Sequence, residues 1–152
     1  MGSGKHFYTT DAHEATVAIQ NGRVLEGIAC YVLPVTSDPQ PPVVPLFRLY
    51  KGNIDDHFYT SDQSEADRAV EQFGYTFELI ACDAFDPNNP PAGTFQLHRF
   101  FNAQSGEHFY TTDPGAENLT GFTEEPSPCF VYDLNQGSVP EGVLPLYREY
   151  AP

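Results

Sequence analysis

Three times, at an interval of 51 residues, the chain spells His-Phe-Tyr-Thr: His6 to Thr9, His57 to Thr60 and His108 to Thr111. A match of this length at a fixed period means one supersecondary unit copied three times, each burying its apolar face against its neighbours. Each tetrapeptide is followed by Thr or Ser and then by an acid: Asp11, Asp62 and Asp113. A second block aligns Gly27-Ile28-Ala29-Cys30 with Leu79-Ile80-Ala81-Cys82 and, more loosely, with Ser127-Pro128-Cys129, so all three cysteines occupy one repeat position. A third block aligns Pro45-Leu46-Phe47-Arg48-Leu49-Tyr50, Gln96-Leu97-His98-Arg99-Phe100-Phe101 and Pro145-Leu146-Tyr147-Arg148-Glu149-Tyr150.

The phase of the repeat predicts closure. The third block runs through a short turn into the next His-Phe-Tyr-Thr, from Arg48 to His57 and from Arg99 to His108. The remaining junction, Arg148 to His6, is split between the two ends of the chain. The terminal segments are therefore expected to pair, closing one domain of three units over about 5–50, 51–101 and 102–150 and leaving fewer open strand edges. The turn-rich segments 51–56 and 102–107 suit hairpins. Asp11 with Glu14, and Asp62 with Glu65, have capping-box spacing, which predicts short amphipathic helices over 14–20 and 65–72, eroded in the third unit at Asp113-Pro114-Gly115. Strands are expected at 24–26 and 28–33, and again at 75–78 and 80–85, giving about four strands per unit. The expected class is all-β with short helices, a pseudo-threefold closed repeat resembling a three-bladed propeller, with the β-trefoil as the alternative.

The composition narrows the partners. With 7 Lys plus Arg against 21 Asp plus Glu, the net charge of −14 disfavours nucleic acid and anionic membrane surfaces. No apolar run is long enough to span a bilayer, and no signal-peptide pattern is visible, which leaves cytoplasmic and secreted locations both open.

The ordered blocks, His-Phe-Tyr-Thr with Thr/Ser-Asp, then Ala-Cys, then Pro-Leu-aromatic-Arg-x-Tyr, resemble a repeat family of unknown function found in bacteria and fungi. Members resemble stand-alone small proteins or accessory modules on secreted hydrolases. The resemblance implies a fold unit with no established reaction, and glycan binding through its accessory setting.

The candidate chemistry is distributed threefold. Along each tetrapeptide strand His and Tyr share one face and Phe and Thr the other. If His6, His57 and His108 with Tyr8, Tyr59 and Tyr110 face outward, they form stacking surfaces with polar tips, suited to a sugar, with Asp11, Asp62 and Asp113 bonding hydroxyls. If they face inward, the Tyr hydroxyls close a buried network and each His orients its strand. Convergence of the three His on a metal is the less favoured option, and neither metal nor cofactor is expected. Arg48, Arg99 and Arg148 have partners in either the three Asp or in Glu14, Glu65 and Glu117, with a structural fork tying strand to helix start favoured. Cys30, Cys82 and Cys129 read as buried thiols in the core rather than as nucleophiles or a disulfide set. The expected function is a non-catalytic, lectin-like module for a glycan or glycoprotein with up to three related sites. The alternative is a protein-interaction domain or protease inhibitor acting through the Pro-rich loop 34–42.

Overall fold

The computed structural model describes residues 2–152. These described residues are predominantly β, with nine strands and two short helices. The first unit contributes β1 (His6–Thr9), α1 (Ala12–Gln20) and β2 (Val24–Val32). The second is β3 (Val43–Lys51), β4 (Asp56–Thr60), α2 (Gln63–Phe73) and β5 (Thr76–Phe85). The third is β6 (Phe95–Asn102), β7 (Glu107–Thr111), a single 3-10 turn (Pro114–Ala116) and β8 (Thr123–Val131), and β9 (Leu144–Tyr150) ends the chain.

Each unit is a three-stranded antiparallel sheet in the order tetrapeptide strand, Leu-aromatic-Arg strand, Ala-Cys strand. The second and third units are β4-β3-β5 and β7-β6-β8, joined where Phe85 faces Phe130. The first is β1-β9-β2, so the two terminal strands lie side by side, with His6 opposite Tyr150 and Thr9 opposite Tyr147. The register repeats: Arg148 faces Tyr8, Arg48 faces Tyr59 and Arg99 faces Tyr110. Isolated bridges link Leu33 to Asp83 and Tyr31 to Tyr132, so each pair of Ala-Cys strands touches at the same end.

The strand count differs from the expectation of four per unit. Segments 24–26 and 28–33 form one strand, because the register slips between Leu25 and Gly27 and again between Ile28 and Cys30 without breaking the ladder to β9. The slips between Leu46 and Phe47 and between Arg48 and Leu49 do the same for 76–85 along β3. A bulge bends a strand and strengthens its twist while keeping it paired. Glycine at φ +135° lets the first strand turn at Gly27.

The helices start where Asp places them. Asp11 accepts from the amides of His13 and Glu14 at 2.8 and 3.2 Å, and Asp62 from Ser64 and Glu65 at 2.8 and 3.4 Å. The glutamates do not return to the cap amide as a capping box would. The last Thr of each tetrapeptide takes that amide instead: Thr9, Thr60 and Thr111 accept from Asp11, Asp62 and Asp113 at 3.1, 3.0 and 3.1 Å. The hydroxyls of Thr9 and Thr111 then donate to Glu14 and Glu117. Freed from the cap, the glutamates turn toward the arginines.

The centre of the core is one cluster to which all three units contribute. Tyr8, Tyr59, Tyr110, Leu46, Leu97, Leu146, Cys30, Cys82 and Cys129 all belong to one buried cluster. The three tyrosine rings meet edge to face at centroid distances of 5.6, 5.4 and 5.1 Å. The cysteines are free thiols, and burial pushes each of them up.

Candidate functional site

The tetrapeptide strands are buried on both faces, which moves their tyrosines out of reach of a ligand. The Tyr59 hydroxyl donates to the Tyr8 carbonyl at 2.6 Å and accepts from the Tyr8 amide at 3.0 Å. Tyr8 serves Tyr110 in the same way at 2.9 and 2.9 Å, and Tyr110 serves Tyr59 at 3.2 and 2.7 Å. Each hydroxyl thus completes the backbone of a neighbouring unit, on the edge of the inner strand that has no second ladder partner. Burial holds all three phenols well up, and each ring is 1% exposed. The stacking surface expected from Tyr8, Tyr59 and Tyr110 is therefore corrected to a closed buried network. Asp11 and Asp62 are exposed but engaged as caps, and Asp113 is exposed and makes no side-chain cap bond.

The remaining distinctive residues gather at the seams between units. At the seam of the second and third units, Arg99 forks onto Glu65 at 2.8 and 2.8 Å and sends Nε to Glu125 at 2.9 Å. Its guanidinium lies 4.9 Å over the Phe58 ring, and His108 packs 4.7 Å from both Phe58 and Phe101. The seam of the first and second units repeats this with Arg48 on Glu14 at 2.8 and 2.8 Å and on Glu78 at 2.9 Å, over Phe7 at 5.0 Å, with His57 between Phe7 and Tyr50. The third seam, between the ends of the chain, has Arg148 on Glu117 at 2.7 Å and on Glu26 at 3.1 Å, over Phe109, with His6 between Phe109 and Tyr150. Among the Asp and Glu alternatives, the arginines take the glutamates. The Arg48 fork holds the Glu14 carboxyl below its usual range, and although burial opposes it, the Arg99 fork does the same for Glu65.

The three histidines sit in separate seams, and among the described residues no group of three or more His, Cys, Asp or Glu could hold a metal ion. The residue before each tetrapeptide decides what the imidazole meets. The Asp56 carboxylate accepts from His108 Nδ1 at 2.7 Å, and that of Glu107 from His6 Nδ1 at 2.6 Å. The corresponding residue for His57 is Lys5, whose amine instead donates to the Ile54 carbonyl at 2.8 Å. His57 Nδ1 is left buried with no partner. Burial, and then the charges of Arg48 and Arg23, push this imidazole down to about 3.

A depressed histidine stabilises the fold fully above its unfolded pKa of about 6.5, and that contribution is lost as pH falls toward the folded value. His57 alone is expected to cost about 2 kcal/mol between pH 7 and pH 5. Lys5→Asp supplies the carboxylate that the other two seams possess. In that variant the NMR titration midpoint of His57 is expected to rise by roughly one pH unit or more; an unmoved midpoint would contradict this account of the seam.

One seam is open. Between the second and third units a cavity of about 300 Å³ is lined by Phe58, Tyr75, Phe101, Arg99, Glu65 and Glu125, among others, with Lys51 and Arg68 also on its wall. Tyr75 is fixed by its hydroxyl donating to Asp56 at 2.6 Å, and Lys51 Nζ lies 5.6 Å over the Tyr75 ring. Sequence reasoning missed this site, since its lining comes from two units and the repeat singles out only Glu65, Arg99 and His108 of it. The available signal was departure from the repeat. Lys51 follows Tyr50 where Ala151 follows Tyr150, and Arg68 stands 51 residues after Val17.

These features define a class: a β-rich domain of three like units whose polar chemistry is concentrated at the seams between them. The chain belongs to the family described as Domain of unknown function (DUF5648), whose model matches residues 1–85 and again 45–152. No curated protein and no solved structure matches the chain. Among the described residues no helix is long and apolar enough to cross a membrane.

Proposed function

We propose that this domain is a non-catalytic carbohydrate-binding module, built as a three-bladed, propeller-like ring, whose ligand sits in the cavity between the second and third units. The observation that supports this reading is the pairing of an aromatic floor, Phe58, Tyr75 and Phe101, with polar groups held rigid around it, Arg99, Glu65 and Glu125. A sugar offers an apolar ring face and a rim of hydroxyls, and such a pocket answers both. Pre-forked charges cost little ordering on binding. The three-bladed reading is supported by the same Arg-Glu-Phe-His constellation at all three seams, where each unit closes on the next.

Retention on a glycan array or polysaccharide column is the test, run beside Phe101→Ala. The variant is expected to keep the wild-type circular dichroism spectrum and to bind roughly tenfold more weakly, from loss of one stacking partner. A protein that binds no glycan, or a folded variant that binds as well as the parent, would remove the assignment.

A protein-interaction or inhibitor reading through residues 34–42 has one observation in its favour. The exposed loop is pinned, since Asp83 accepts from the Thr36 amide at 3.0 Å and from its hydroxyl at 2.9 Å, while Val35 is half exposed. Replacing 35–40 with Gly-Ser residues would abolish that activity and leave glycan retention untouched.

A further inference from the structure

From the two uncommitted cations on the wall of the cavity between the second and third units, we infer that its ligand is an acidic sugar, a hexuronate residue whose carboxylate lies between Lys51 and Arg68; this rests on the carbohydrate reading above.

The chain has seven basic residues, and five are spoken for. Arg48, Arg99 and Arg148 each join two glutamates, Arg23 meets Asp55 at 2.9 Å, and Lys5 donates to the Ile54 carbonyl. Among the described residues only Lys51 and Arg68 have side-chain cationic groups with neither an ion pair nor a hydrogen bond, and both line the same cavity. With 21 acidic residues available, two cations left free beside one aromatic floor are a local exception. Nor do they belong to the shared frame of the seams. At the first seam the residues matching them are Ala151 and Val17, both on its wall and both uncharged.

The existing charges leave room for one more anion. Arg99 is already balanced by Glu65 and Glu125, so it offers a fixed fork rather than free charge. Arg68 is exposed and Lys51 half-buried, which keeps both ammonium and guanidinium wet until a carboxylate arrives. The ring of the sugar would lie on Tyr75 and Phe101, and its carboxylate would complete the missing pairs. Such pairing on an exposed rim weakens as salt rises.

The experiment measures binding of an oligogalacturonate and of the matching neutral oligogalactoside by titration calorimetry, for the wild type and for K51Q/R68Q. The acidic oligomer is expected to bind at least tenfold more tightly than the neutral one, and the double variant to lose that preference, binding the two oligomers about equally. Equal binding of the two oligomers by the wild type would overturn the acidic-sugar inference and leave the carbohydrate reading standing. A preference that survives in K51Q/R68Q would also overturn it. Binding of neither oligomer, with the glycan screen blank, would remove both.

Discussion

Tyr59→Phe is expected to lose about 2–5 kcal/mol of stability, although it deletes a single oxygen from a protein of 152 residues. The Tyr59 hydroxyl is the partner of both the amide and the carbonyl of Tyr8, in the fully buried centre of the molecule. Its removal leaves a donor and an acceptor unpaired in a buried setting, and each orphan costs about 1–3 kcal/mol. Tyr8→Phe and Tyr110→Phe should behave alike, since each ring serves the next strand in the same way. Tyr50→Phe is the control. Its hydroxyl reaches Asp55 at 3.1 Å in a half-buried setting, and its loss should cost less than about 1 kcal/mol. Urea denaturation of the four proteins is the measurement. Equal, small losses in all four would contradict the role given to the central hydroxyls.

Glu149→Leu is expected to do the opposite and stabilise the protein by about 2–4 kcal/mol at pH 7. Glu149 is 0% exposed, and both of its carboxyl oxygens are buried without a partner. It faces Phe7 on β1, the place taken by Leu49 facing Phe58 and by Phe100 facing Phe109 in the other units. Leucine is therefore already accommodated at this position of the repeat. Burial, the largest influence, pushes the Glu149 carboxyl above its usual range. The folded state then holds its proton more tightly than the unfolded state, so the penalty grows as pH rises through the folded value and fades below about 4.5. The advantage of Glu149→Leu should accordingly shrink on acidification. A melting comparison at pH 7 and pH 4 checks both the gain and its slope, and a variant less stable than the parent at pH 7 would refute the reasoning.

The repeat made much of this architecture legible. Its phase announced that the ends of the chain carry two halves of one junction, and β1 lies against β9. Asp-x-x-Glu spacing found both helices, and the choice between Asp and Glu for the arginines lay within the alternatives considered. What the sequence withheld was direction. Period-two alternation says that His6 and Tyr8 share a face, but not which way that face looks, and an inner strand buried on both sides has no outward face for its tyrosine. Gly27 read as a strand break because a bulge and a turn use the same residue. The cavity between the second and third units stayed hidden because Phe58 and Phe101 look like ordinary core aromatics until two units are set side by side. Lys51 and Arg68 were the visible clue, being charges that the repeat does not require.

The proposed ring requires the three units to close around their shared tyrosines, with the chain's own ends forming a seam as tight as the other two. Native-state amide exchange at Tyr8, Tyr59 and Tyr110 tests this directly. In a closed ring these three amides are expected to be among the slowest in the molecule and to share one opening free energy, equal to that of global unfolding. A Tyr8 amide that exchanges far faster than those of Tyr59 and Tyr110 would show the terminal unit opening by itself, and would contradict the ring.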